Sequence, residues 1–251
     1  GIQTIDYVVA THPQLDHVGG LTYVLRHFIV RQFWGTGDVR EEPFYQRLQE
    51  ALTDRGLAEH IARQRRDVIA LGLCRLAVLN PPQGTGFPQD RGGRGQEGHT
   101  LNNRSIVTSL TCGPHRVLFT ADVEQDALIR MSREAESTRA DLVKVPHHGA
   151  GSSLQREWLE RVNPQYAVIS VGRHNAYGHP TPGVLQAYAE RGISTLRTDR
   201  DGGIWVTGRC SAPGLQLHHT REQQAQRVPF PGCLWACERL NWERLIDRWR
   251  E

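Results

Sequence analysis

Two imidazoles and a carboxylate stand within six positions near the start of the chain, in the run His12-Pro-Gln-Leu-Asp16-His17 that follows an apolar, β-branched stretch. A tight turn at that point brings nitrogen and oxygen donors into one small volume, a set suited to zinc, manganese or iron. Asp122 closes a second apolar stretch, Val117-Leu-Phe-Thr-Ala-Asp122. Taken alone, it reads equally well as the cap of the helix that follows. A third stretch, Leu142-Val-Lys144-Val-Pro-His147-His148-Gly149, ends in two adjacent imidazoles. Alternation along an extended strand sends neighbours to opposite faces, so one of the pair is expected at a metal and the other toward substrate or behind the ligands. A fourth, Asn175-Ala-Tyr-Gly-His179-Pro, puts a further imidazole on a loop. Strand ends that each carry His or Asp make one site at one edge of a sheet, where open α/β architectures place their chemistry.

The elements that must hold these residues follow from periodicity. Strands are expected at residues 5–10, 29–34, 76–79, 105–110, 116–120, 142–145, 167–171, 195–197 and 204–206. Helices are expected at 19–27, 44–57, 58–71, 124–136 and 153–162, and from Pro182 to Gly192, with proline at a first helical position. Strands alternating with helices indicate an α/β layered domain. Residues 83–100 are Gly-rich and polar and read as a mobile surface loop. The strand pattern dissolves after Val206. The expected organisation is therefore one domain over 1–207, followed over 208–251 by a linker and a terminal amphipathic helix, 234–250. In that helix Trp235, Trp242 and Trp249 recur every seven residues among arginines. Packing on its own domain explains such a helix, and so does the headgroup region of a membrane.

Composition sets outer limits. At 251 residues with 38% hydrophobic content, the chain has the length and core material of a globular α/β protein. It is not disordered, collagen-like or a disulfide miniprotein. Thirty basic residues against 27 acids give a net charge of +3, too small to argue for nucleic acid by itself. Five scattered cysteines without C-x-x-C spacing give no disulfide framework and no zinc ribbon. No apolar run reaches the roughly 18–20 residues that span a bilayer. The chain starts with Gly1 and runs straight into a strand-like segment, which reads as a piece of something longer. Lys144 is the one lysine in a chain that otherwise uses arginine, and it sits beside the His147-His148 pair. Its ammonium suits a site carboxylate or a phosphate oxygen.

The order His-x-x-x-Asp-His, then Thr-Ala-Asp, then His after a further strand resembles the metallo-β-lactamase superfamily. The text of Asn102-Asn103-Arg-Ser105-Ile-Val, Leu118-Phe-Thr-Ala-Asp122, Lys144-Val-Pro-His147-His148-Gly149, Tyr177-Gly-His179-Pro and Thr198-Asp-Arg-Asp-Gly202 is similar to the hydrolase domain of ComEC-type DNA-uptake proteins. The similarity runs over about residues 5–206. It implies an αββα sandwich whose first strands precede this chain. His12 would serve a first metal, Asp16 and His17 a second, with Asp122 bridging them. His148, or else His147, would complete the second site.

Two departures weaken the first metal site. Gln14 stands where the superfamily has His and ComEC-type domains have Asp, and an amide offers only a neutral oxygen. Asn102, Asn103 and Ser105 stand where the superfamily's third His belongs, with His99 nearby. One metal, or a second bound conditionally, is therefore expected, manganese or zinc. The implied reaction is phosphodiester hydrolysis, with Asp16 and Lys144 assisting and His179 as general acid. Arg173, His174, Asn103 and Ser105 are candidate substrate contacts. The implied substrate is single-stranded DNA during natural competence, on the extracytoplasmic face of a bacterial inner membrane, beside a membrane channel of the same longer chain. The alternatives are another phosphoester substrate, in which case a cytoplasmic location would fit, or a weakened DNA-binding domain. Sequence leaves the oligomeric state open.

Overall fold

The computed structural model describes residues 1–64, 66–83, 101–134 and 139–223. The expected loop over 84–100, with His99, and the tryptophan helix over 234–250 lie outside them, as do Cys233 and Cys237. Three parallel strands form a small sheet in the order β1 (Thr4–Val9), β2 (Ile29–Gly35), β3 (Glu59–Ile61). The helices α1 (Leu15–Val18), α2 (Leu21–His27) and α3 (Pro43–Asp54) connect these strands. A seven-stranded sheet holds β4 (Val68–Leu71), β5 (Cys74–Asn80), β6 (Val107–Cys112), β7 (His115–Phe119), β8 (Leu142–Lys144), β9 (Tyr166–Ile169) and β10 (Ser194–Arg197). Its order is the reverse of the chain, β10 to β4: antiparallel from β4 to β7 and parallel from β7 to β10. The parallel half needs crossovers, supplied by α4 (Gln125–Arg133), α5 (Arg156–Val162) and α6 (Pro182–Ala189).

Three apolar clusters show the layering. Val8, Leu25, Phe33, Leu48 and Leu52 bury the outer face of the small sheet against α2 and α3. Trp34, Ile69, Val78 and Ile106, with Tyr7 and Leu76 against them, fill the space between the sheets. Leu118, Leu128, Val143, Trp158, Leu159, Ile169 and Val184 seal the large sheet under α4, α5 and α6. This is the expected αββα sandwich. Full burial of each such aliphatic side chain contributes roughly 1.5–3 kcal/mol, so the strands are anchored well enough to hold their loop ends in place.

Four expectations need correction. The described residues of the 58–71 stretch are not helical: its Arg, Gln and Ala content favours a helix, but Glu59–Ile61 pairs with β2 and Val68–Leu71 pairs with β5, burying Ile69. Tertiary pairing overrides local propensity there. Nor does the pattern dissolve after Val206. β11 (Ile204–Arg209) and β12 (Ala212–His219) form an antiparallel hairpin, masked in the sequence by Pro213 and Gly214. It packs on β7, where His115 Nε2 meets the carbonyls of Arg209 and Ala212, and it roofs an apolar cavity of about 350 Å³ against Leu110, Val117 and Phe119. Cysteine spacing concealed a disulfide: Cys74 and Cys112 stand opposite each other on β5 and β6 and are bonded. Finally, β8 stops at Lys144. His147 and His148 lie in a 3₁₀ turn, Pro146–Gly149, at φ 45° and 54°, so strand alternation does not separate them.

Candidate metal centre

The site sits at the ends of β1, β7 and β8. After β1 the chain turns at once: the Gln14 carbonyl accepts from the amides of His17 and Val18, which starts α1 and points Asp16 and His17 back across the strand end. After β7, Ala121 takes a left-handed conformation at φ 46°, and its carbonyl accepts from the His147 amide and from Lys144 Nζ at 2.7 Å. That pair of bonds locks the β7 and β8 ends together. Gly149 follows the two histidines at φ 83°, where a Cβ would stand 2.5 Å from that of Pro180. Glycine is required there, and the close approach seats the loop carrying His179 beside the turn.

Asp122 is the hub. It is 1% exposed, and its Oδ2 lies 3.0 Å from His17 Nε2, 3.1 Å from His148 Nε2, and 4.0 Å from Nε2 of both His12 and His147. Oδ1 faces the Lys144 ammonium at 3.3 Å. Burial alone would raise the pKa of Asp122. Its contacts with His148 and His17 and the charge of Lys144 outweigh that and hold the carboxyl well below the usual range. Burial likewise works against charging His148, but Asp122 and Asp16 raise it to about 9. Asp16 is lowered by its contact with His148. His12, wholly buried, is pushed down to about 4 by that burial and by His17, so it is neutral at pH 7. Burial lowers Lys144, with Asp122 opposing. His179 is lowered by burial and then by His147 and His148.

One atom from each of Asp16, His17, Asp122 and His148 falls within a cluster whose mutual distances are below 4.8 Å. Two imidazole nitrogens with two carboxylate oxygens fit a divalent cation by donor chemistry. The local geometry agrees. His148 Nδ1 donates to the Ser170 carbonyl at 2.7 Å, which leaves Nε2 as the free nitrogen. That Nε2 is buried and makes no aligned hydrogen bond, although two carboxylate oxygens are within 3.4 Å. His17 Nε2 meets Asp122 Oδ2 directly at 3.0 Å, so the four donor atoms are already gathered where a cation would sit.

The other predicted residues separate. His12 and Gln14 touch (Nε2 to Oε1, 3.3 Å), but the Gln14 amide is engaged by Asn102. His147 Nδ1 lies 2.9 Å from Glu124 Oε1, off the line of a hydrogen bond. His148 thus joins the donor cluster while His147 stands beside it against Glu124, a separation made by the turn and not by strand alternation. The His179 ring lies 5.7 Å from that of His147, on a loop closed by Asn175, which accepts from the His179 amide. Arg173 and His174 are exposed on the same loop. Asn103 Oδ1 accepts from the amides of Glu124 and Ala127 and so caps α4, and Ser105 is wholly buried. Neither is placed to meet a substrate.

Glu124 is the residue that sequence reasoning missed. It is 4% exposed, and its Oε1 accepts from Asn102 Nδ2 and Ser152 Oγ. An acid two positions past Asp122 reads as an ordinary helix-start carboxylate, and only the fold shows what converges on it.

Known proteins are similar to this chain over most of its length. ComE operon protein 3 of Bacillus subtilis (strain 168) is 28% identical over 204 residues, 81% of this chain and 25% of that protein. An uncharacterised Escherichia coli (strain K12) protein, YcaI, is 29% identical over 86% of this chain and 24% of its own. Competence protein ComA of Neisseria gonorrhoeae is 26% identical over 81% of this chain and 25% of its own. The chain spans about a quarter of the length of these relatives. The metallo-beta-lactamase superfamily model matches residues 1–173, the stretch that supplies every donor gathered around Asp122. With its sandwich and its strand-end donors, the chain belongs to that superfamily.

Proposed function

We propose that the protein is a metal-dependent phosphodiesterase that degrades single-stranded DNA during DNA uptake. The observation that carries this reading is the clustering of donor atoms from Asp16, His17, Asp122 and His148, with the His179 ring 5.7 Å from that of His147 beside them. A cation held there supplies a nucleophile near neutral pH by lowering the pKa of water. The chain's own residues do the rest. Asp122 and Asp16 provide the negative charge that retains the cation, and Lys144 keeps Asp122 turned toward it. His179, lowered by burial and its imidazole neighbours, is suited to pass a proton to the leaving oxygen.

Tyr177 supports a single-stranded substrate. Its ring is 82% exposed and lies roughly parallel to His179, at 19° and 5.9 Å, as a platform on which an unpaired base could stack. Arg173 and His174 line the same loop in reach of a backbone. The similarity to competence proteins supports DNA as the polymer, and the Cys74–Cys112 disulfide supports an oxidising, extracytoplasmic location. Among the described residues no helix is long and apolar enough to cross a membrane. On this reading a channel would be contributed by other parts of a longer chain. The engagement of Gln14 by Asn102 favours one resident metal, manganese or zinc, over two.

The test is incubation of the protein with manganese or zinc and single-stranded DNA, with Asp122→Ala as control. Cleavage by the parent and a loss of at least about a thousandfold in the variant is expected. Metal binding without DNA cleavage would move the assignment to another phosphoester. Absence of metal binding at micromolar concentration would remove the enzyme reading.

A further inference from the structure

Beside the ligand cluster runs a line of polar groups whose hydrogen-bond directions are all dictated by one buried carboxylate. Glu124 Oε1 can only accept, so Asn102 presents its NH₂ group there, at 3.2 Å. Asn102 therefore turns its oxygen to Gln14, which must donate from Nε2, at 3.1 Å. The Gln14 oxygen then faces His12 Nε2 at 3.3 Å, and an oxygen in that position requires His12 to carry its hydrogen on Nε2. The Thr11 hydroxyl, 3.2 Å from His12 Nδ1, gives its only hydrogen to that nitrogen. The Thr11 oxygen is left to accept from His17 Nδ1, at 3.3 Å. With a cation on His17 Nε2, the one ring hydrogen of neutral His17 sits on Nδ1 and is given to that oxygen.

We propose that Glu124 is a positioning residue: through Asn102, Gln14, His12 and Thr11 it fixes the hydrogen of His17 on Nδ1, so that Nε2 is the nitrogen offered to the metal, and it commits His12 to hydrogen bonding with Gln14. The statement about His17 as a ligand rests on the metal-centre reading. The statement about His12 does not, because Glu124, Asn102 and Gln14 place the hydrogen of His12 Nε2 without a cation. Gln14 is then a working link between His12 and Asn102. The half of the site around His12 holds its geometry by hydrogen bonds that a second metal would have to break.

Long-range proton–nitrogen spectra of the ¹⁵N-labelled full chain, metal-free and loaded with zinc, read the ring hydrogens directly. Expected are His12 with its hydrogen on Nε2 in both states, His17 with its hydrogen on Nδ1 in the zinc-loaded protein, and one zinc per chain. His12 found as the Nδ1–H form, or its Nε2 bound to zinc, overturns the proposal. If zinc does not bind, the metal-centre reading fails, and the metal-free ring of His12 still decides the relay.

Thr11→Val cuts the line without removing a ligand. It is expected to lower zinc affinity about tenfold, with recovery in Thr11→Ser. Glu124→Gln removes the acceptor-only anchor, so the amides can reverse and His12 is expected to show both ring forms. Unchanged zinc affinity and an unchanged His17 hydrogen in Thr11→Val would sink the idea, as would a single unaltered His12 form in Glu124→Gln.

Discussion

On either side of Asp122 stands a group of histidines and oxygen-bearing side chains, and the two groups are finished differently. On one side His17, His148 and Asp16 crowd the carboxylate, and His148 Nε2 is buried without an aligned partner. On the other, His12 stands 4.0 Å from the same oxygen, with both of its ring nitrogens paired, to Thr11 and Gln14. Unsatisfied buried nitrogen such as His148 Nε2 is costly and persists where a ligand completes it, whereas His12 Nε2 is held by a neutral amide. The difference comes down to side-chain chemistry and hardly to backbone. One neutral amide, Gln14, joined to Asn102, converts what would be a second metal position into a hydrogen-bonded wall.

Alanine substitution on the two sides breaks this contrast most sharply. His148→Ala removes one of two nitrogen donors and is expected to lower zinc or manganese affinity by at least about a hundredfold, with activity falling in step. His12→Ala opens a buried gap next to Asp122 but removes no ligand, so a loss of metal affinity of about tenfold or less is expected. Isothermal titration of both variants with each metal makes the comparison. Equal losses would mean that both histidines hold metal and that the division drawn at Asp122 is wrong.

A smaller effect is expected where the two sides share support. Lys144 reaches the Ala121 carbonyl and Asp122 Oδ1 together, bracing a left-handed residue and turning the other carboxylate oxygen to the histidines. Arginine keeps the charge, but its planar fork is longer and cannot place one point donor between those two oxygens. Lys144→Arg is therefore expected to cost about tenfold in kcat/KM, with metal retained. Full activity in that variant would return the single lysine to coincidence.

The sequence could be read this far because the donors of the open side lie in short runs at strand ends: Asp16 and His17 are adjacent, and Asp122 and His148 each follow an apolar strand. The sandwich was legible for the same reason, since its strands and helices announce themselves by period. The closed side was not. Its members, Gln14, Asn102 and Glu124, come from three separate segments, and nothing in their spacing says that they meet. Asn103, expected as a substrate contact from its place in the Asn102–Ser105 run, caps α4 from outside that helix. His147 and His148 were assigned to opposite faces on the assumption of an extended strand. Two positive φ angles in the turn remove that assumption. The short strands β3 and β4 lie in a stretch of helix-favouring residues, and only pairing with β2 and β5 makes them strands.

The gentlest way to sharpen the comparison is to convert the closed side toward the open one. Gln14→Asp replaces a neutral oxygen with a charged one at the same turn and shortens the side chain by one methylene. The carboxylate cannot donate to Asn102, so the Asn102 amide must reverse or lose a partner, and the hydrogen on His12 Nε2 loses its fixed acceptor geometry. Two negative oxygens, one from the introduced carboxylate and one from Asp122, would then flank His12. A second equivalent of manganese is expected to bind, with an activity gain of roughly a few fold where that position limits the rate. The gain stays small because the Asn102–Glu124 bond still occupies the far wall. A titration that remains at one metal per chain, with unchanged turnover, would show that the His12 side is closed by more than its amide.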